Sequence, residues 1–186
     1  PGRLVGIPVV GDGSKIDLIH RERGRGLEPS DDGRFVAVLE SSYARHYQLP
    51  NSGTVTVAGG RQIDYVGHGQ SPEYFIVTTD VGFFGSEANF AVIFVPLGTA
   101  QALTGDVGRV NDAVIRLAPG ADVGRVTREL TARFGTNLPN AGATVLSRRD
   151  NDGFRILYDD IDGDQEIYNI FALILLGAGT FAAFNL

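Results

Sequence analysis

Carboxylates, hydroxyls and imidazoles that could do chemistry gather in only a few short stretches of this chain. Residues 159–166 (DDIDGDQE) carry five acids: Asp159, Asp160, Asp162, Asp164 and Glu166. Hard cations such as Ca²⁺ want several carboxylates, so Asp159, Asp160, Asp162 and Asp164 form a weak metal candidate. The run departs from the EF-hand pattern, which is longer and closes on a glutamate. Acids placed against the positive end of a helix dipole are the better explanation. Residues 67–73 (GHGQSPE) hold His68, Ser71 and Glu73. A hydrolase needs such groups to converge in space with an oriented base and an oxyanion hole, and neighbours on one loop rarely do so. No G-x-S-x-G motif surrounds Ser71, so a structured turn is the preferred reading. Residues 11–15 (GDGSK) lack the spacing of a phosphate loop. His20, His46 and His68 lie far apart, with no H-E-x-x-H motif, which argues against zinc. Tyr43, Tyr47, Tyr65, Tyr74 and Phe75 are read as core rather than as a ligand groove. With no cysteine there is no disulfide, thiolate nucleophile or cysteine-ligated metal. The expectation is a chain without catalytic residues or cofactor.

The strongest signal carries no chemistry. Residues 167–186 (IYNIFALILLGAGTFAAFNL) contain no charge. A helix of that length spans about 30 Å, the thickness of a bilayer's hydrocarbon core. It has no polar face to show water. Tyr168 sits where an interfacial aromatic belongs. Gly179 and Ala183 are four apart, as are Ala178 and Ala182, and such small residues let membrane helices pack closely. These residues are expected to begin a transmembrane helix. Residues 151–166 would then be an acidic connector, with Asp162, Gly163 and Asp164 as the point of coupling to the membrane helix.

At 43% hydrophobic the chain can bury a core, and its formal charge of -6 argues against nucleic acid. It starts at Pro1, contains no Met, and ends at Asn185 and Leu186 without a flanking Arg or Lys, which reads as a segment of a longer protein. Residues 3–10 read as a strand, and the polar, glycine-rich residues 14–34 as a linker or crossing. Strands are expected at 35–39, 74–79 and 90–95, with a short helix over 43–47 capped by Ser41 or Ser42. Residues 54–58 and 61–66 alternate about Gly59 and Gly60, which predicts a hairpin. A helix over 97–103 should end at Gly105. Strands at 112–117 and 143–146 should flank a helix that Asp122 caps, with Glu129 and Arg133 paired and Gly135 at its end.

The order of these pieces resembles the extracytoplasmic domain of MacB/FtsX-type ABC transporter permeases. Residues 35–45 (FVAVLESSYAR) are similar to the family's strand followed by an S-x-x-A-R helix. Residues 49–57 (LPNSGTVTV) resemble its entry to a hairpin, and residues 62–67 (QIDYVG) the strand that follows. Residues 95–101 (VPLGTAQ) and 114–122 (VIRLAPGAD) resemble two further helix entries, and the run after Glu166 stands where the second membrane helix begins. The resemblance covers about 150 residues and implies an α+β fold in two subdomains. A discontinuous α/β porter-like part would comprise 1–30 and 108–150, with a strand-rich sabre-like insert at 31–107. It implies no catalysis here: ATP would be hydrolysed by a cytoplasmic ABC ATPase, fused or separate. The other implied partners are a second permease copy or homologous half, the bilayer through 167–186, and an extracytoplasmic adaptor or effector. Residues 1–166 would lie outside the cytoplasm. The alternative is a membrane-anchored binding module with no ATPase partner, marked by an apolar pocket.

Overall fold

Strand alternation around two glycines sets up the sheet as expected. Strand β4 (Gly53–Val57) pairs antiparallel with β5 (Arg61–Gln70), placing Thr54 opposite Asp64 and Val57 opposite Arg61. Gly59 and Gly60 connect them at φ of 79° and 74°, a region that residues with a Cβ avoid. This computed structural model describes residues 2–11, 15–74 and 90–184. The chain is of mixed α+β type and divides into two units, Pro1–Pro119 and Gly120–Leu186.

In the first unit β5 is the long central strand. One edge pairs in parallel with β3 (Val36–Glu40), while the other takes β4 and then β2 (His20–Gly24), both antiparallel. Strand β3 also pairs antiparallel with β6 (Ala91–Pro96), and β6 pairs in parallel with β1 (Gly2–Ile7). The six-stranded sheet therefore runs β1-β6-β3-β5-β2, with β4 also on β5. Successive side chains point to opposite faces. Ala37, Leu39, Ile63, Tyr65 and Val95 form a core on one face, with Ala44, Ala100 and Leu103 packed against it. Val38, Val92, Phe94 and Tyr74 form a second core on the other, covered by Ile19, Leu27 and Phe90. Tyr65 and Tyr74 are core residues as expected, whereas Tyr47 is half exposed, and Phe75 lies outside the described residues.

Helix α1 (Ser41–His46) is capped by Glu40 and not by the serines expected from the sequence. The Glu40 carboxylate accepts the N–H groups of Ser42 and Tyr43, both at 2.9 Å. Helix α2 (Leu97–Thr104) ends at Gly105 in the left-handed conformation, as expected. In the second unit Asp122 caps α3 (Val123–Asn137) by accepting the Arg125 N–H at 2.9 Å. That helix continues through Gly135. Glu129 pairs backward with Arg125 at 3.0 Å in place of the expected Arg133 pair. Helix α4 (Asp152–Phe184) completes the chain.

Several expectations are corrected. Residues 14–34 are not merely a linker, because β2 lies within them and Asp31 is fully buried. Arg25 grips Asp31 with two hydrogen bonds of 2.6 and 2.8 Å, and the Glu28 N–H adds a third at 2.9 Å. The Arg25 guanidinium holds the Asp31 carboxyl below the usual carboxylate range. Residues 67–70 belong to β5 and not to a loop, since β3 and β2 flank them. A Cβ on Gly67 would stand 2.2 Å from the Arg25 carbonyl, so the close approach there requires glycine. The segments 112–117 and 143–146 do not enter strands; Val114, Ile115 and Leu146 are more than half exposed. Apolar, β-branched composition makes a strand only where a ladder partner is present. Residues 1–30 and 108–119 both fall in the first unit, and the two strands of 1–30 pair with β6 and β5. The strand expected at 74–79 falls largely on 75–79, outside the described residues, and Tyr74 ends a short 3-10 turn, Pro72–Tyr74.

Candidate functional site: the C-terminal helix and its root

Helix α4 has 33 residues, and at 1.5 Å per residue it is about 50 Å long. Its segment Tyr158–Phe184 is long and apolar enough to span a membrane, and none of it is buried. Phe171, Leu173, Leu175 and Phe181 all lie open. At Gly177 and Gly179 an added Cβ would meet nothing within 4 Å, and Ala183 follows Gly179 on the same flank.

The acidic stretch is not a separate connector and does not cap a helix start. The helix begins earlier, at Asp152, and runs without interruption through Asp159, Asp160, Asp162, Gly163, Asp164 and Glu166. Its root fixes that start. Ser147 and Asp150 close a capping box around the 3-10 turn Arg148–Asp150, with the Ser147 hydroxyl donating to Asp150 at 2.6 Å. The Asn151 carbonyl then accepts the Arg155 N–H at 2.8 Å. At about 100° per residue the four acids fall on two flanks of the helix, Asp160 with Asp164 and Asp159 with Asp162. Among the described residues no group of three or more potential metal ligands gathers.

Two arginines of the root turn reach back onto the helix. The Arg148 guanidinium lies 4.2 Å from the centre of the Phe154 ring, and that of Arg149 lies 5.1 Å from the Tyr158 ring. Arg149 also bonds the Asp162 carboxylate at 2.5 Å. Of the residues expected at the coupling point, Asp162 therefore has a defined partner, while Gly163 is plain helix interior. Phe154, Tyr158 and Arg149 were missed from the sequence. The signal was available as an aromatic, aromatic, acid series at four-residue spacing, which puts all three on one face.

Of the residues that suggested a hydrolase, His68 and Ser71 are buried. His68 is 3% exposed, stacks on Tyr65 with ring centres 5.8 Å apart, and has no hydrogen-bond partner at Nε2. Ser71 is buried beside the turn after β5, where its carbonyl accepts the Tyr74 N–H at 3.0 Å. Burial pushes the Glu73 carboxyl up, with Asp112 and Asp17 adding to the effect. Asp12, Gly13 and Ser14 of the phosphate-loop candidate lie outside the described residues.

Burial also holds His68 below the ordinary histidine value, with Arg23 acting in the same direction and a hydrogen bond to the Pro50 carbonyl opposing it. An unfolded chain takes up this proton near pH 6.5, whereas the folded one binds it only at lower pH. The stability from neutral His68 is thus complete above about pH 6.5 and is lost as pH falls toward the folded value. We expect the urea midpoint of the wild-type chain in detergent to drop between about pH 7.5 and pH 5.5. In His68→Phe the drop should be clearly smaller, and equal drops in the two proteins would refute the assignment.

No protein-family model matches the chain, and no curated protein matches it.

Proposed function

We propose that this chain is the extracytoplasmic domain of a bacterial ABC transporter permease of the MacB/FtsX type, without catalytic activity of its own. It passes ATP-driven motion of a membrane helix to a substrate or an extracytoplasmic partner. The observation that carries this reading is the unbroken course of α4 from its root turn, through the acids, into the apolar run. A continuous helix resists bending, so a shift or rotation inside the bilayer arrives at residues 148–152 with little loss. Support also comes from the order of motifs between residues 35 and 122. On this reading residues 31–107 make the sabre-like part, and residues 1–30 and 108–150 the porter-like part. The acids would lie at or just outside the extracytoplasmic surface, and the ATPase, fused or separate, at the cytoplasmic one.

The reading makes a direct prediction. A flexible Gly-Ser run inserted between Asp164 and Ile167 should leave the extracytoplasmic sheet folded and ATP hydrolysis intact. Transport or partner activation should fall to background. An alanine-rich insertion of equal length keeps the helix and should retain more coupling, because alanine is the best helix former and glycine among the poorest. Full activity in the Gly-Ser variant would remove the case for force transmission along α4.

A further inference from the structure

We propose that Arg148 and Arg149 act as a releasable clasp, holding the chain that enters α4 flat against the helix flank. Its release would leave that chain free to swing about residue 151. This inference concerns the fold alone and holds whether or not an ATPase drives the helix.

The receiving face is built for the purpose. Phe154, Tyr158 and Asp162 lie at i, i+4 and i+8, one above another on a single flank, over about 12 Å of helix. Two consecutive arginines supply the other half. Arg148 takes the first aromatic, and Arg149 takes the second aromatic together with the acid. The Ser147–Asp150 box keeps the turn that carries them closed, so both guanidinium groups reach the helix from one rigid platform. Nothing in the clasp is deeply buried: the Arg149 and Asp162 side chains are 63% and 64% exposed. Exposed ion pairs and cation–π contacts are individually weak, and the ion pair is screened by salt. Together they define one preferred arrangement while leaving it open to reversal. Asp162 stands five positions before the uncharged run, about 8 Å along the helix, so the clasp sits close to the end that a bilayer would hold.

The chain contains no cysteine, so two introduced thiols can be labelled without background. Spin labels at Thr144→Cys and Gln165→Cys, in the chain reconstituted into phospholipid nanodiscs, report the distance from the entering segment to the helix. We expect one narrow distance population at low salt. Asp162→Asn should raise the minor, longer-distance population by up to about fivefold, the range open to an exposed pair. Arg148→Gln with Arg149→Gln should raise it further. The exchanged pair, Arg149→Asp with Asp162→Arg, should restore the narrow population. Unchanged helix content by circular dichroism shows that each variant is folded. A distribution unmoved in the double-glutamine variant, or a broadening in Asp162→Asn that the exchanged pair does not correct, overturns the clasp.

Discussion

Leu175→Arg should abolish stable membrane integration of the chain. Leu175 lies near the middle of the uncharged part of α4 and is 71% exposed among the described residues. An arginine at the centre of a spanning helix costs about 2.5–3.5 kcal/mol, and the lost leucine adds about 0.5 kcal/mol. The sum shifts partitioning toward water by a factor on the order of several hundred. Ile167→Arg is the matched control, because a charge at the end of the run snorkels to the interface and costs far less. Carbonate extraction of membranes carrying each variant reads the difference. Wild-type integration of Leu175→Arg would mean that this helix is not lipid-facing, and its open apolar surface would then need protein to cover it.

Phe94→Ala should destabilise the sheet unit by about 3–5 kcal/mol, the range for deleting a buried aromatic side chain. Phe94 has no exposed surface and sits on β6, between Val5 of β1 and Val38 of β3. Its ring meets Tyr74 edge-on at 5.9 Å. The alanine leaves a cavity where the cover of the second core meets the sheet, and a rigid β ladder cannot close over it. Chemical denaturation followed by tyrosine fluorescence or far-ultraviolet circular dichroism measures the loss. A change below about 1 kcal/mol would show that this face of the sheet is loosely packed. Membrane integration through α4 should be untouched in Phe94→Ala, just as the sheet should be untouched in Leu175→Arg.

The two halves of the fold differed in how plainly the residues announced them. The β4–β5 hairpin was legible because alternation, a Gly-Gly pair and β-branched residues all agree there. Helix α2 with Gly105, and α3 with Asp122, were legible because caps are local chemistry. Strand β2 was not: HRERG has no apolar pattern and is exposed throughout, and it is a strand only because β5 offers it an edge. The opposite failure occurred at 112–117 and 143–146, where strand-like composition meets no pairing partner in the described structure. Glu40 displaced the serines as the α1 cap because the end of β3 carries its carboxylate to the first free N–H groups. At the site, the apolar run of α4 from Ile167 onward could be read directly. The true start of the helix could not, because the Ser147–Asp150 box and the stacking of Arg148 and Arg149 create it. Five acids within eight residues read as a connector, yet glycine and acids are tolerated inside a long helix whose ends are fixed elsewhere.

The most direct test of the central claim is affinity purification of this chain, in its native protein context, from membranes with and without ATP. The account predicts that an ATP-binding-cassette ATPase co-purifies, or lies on the same polypeptide, and that its hydrolysis changes the label distance across α4. Recovery of a singly anchored protein with no cassette, fused or bound, would contradict the permease reading and favour a membrane-anchored binding module.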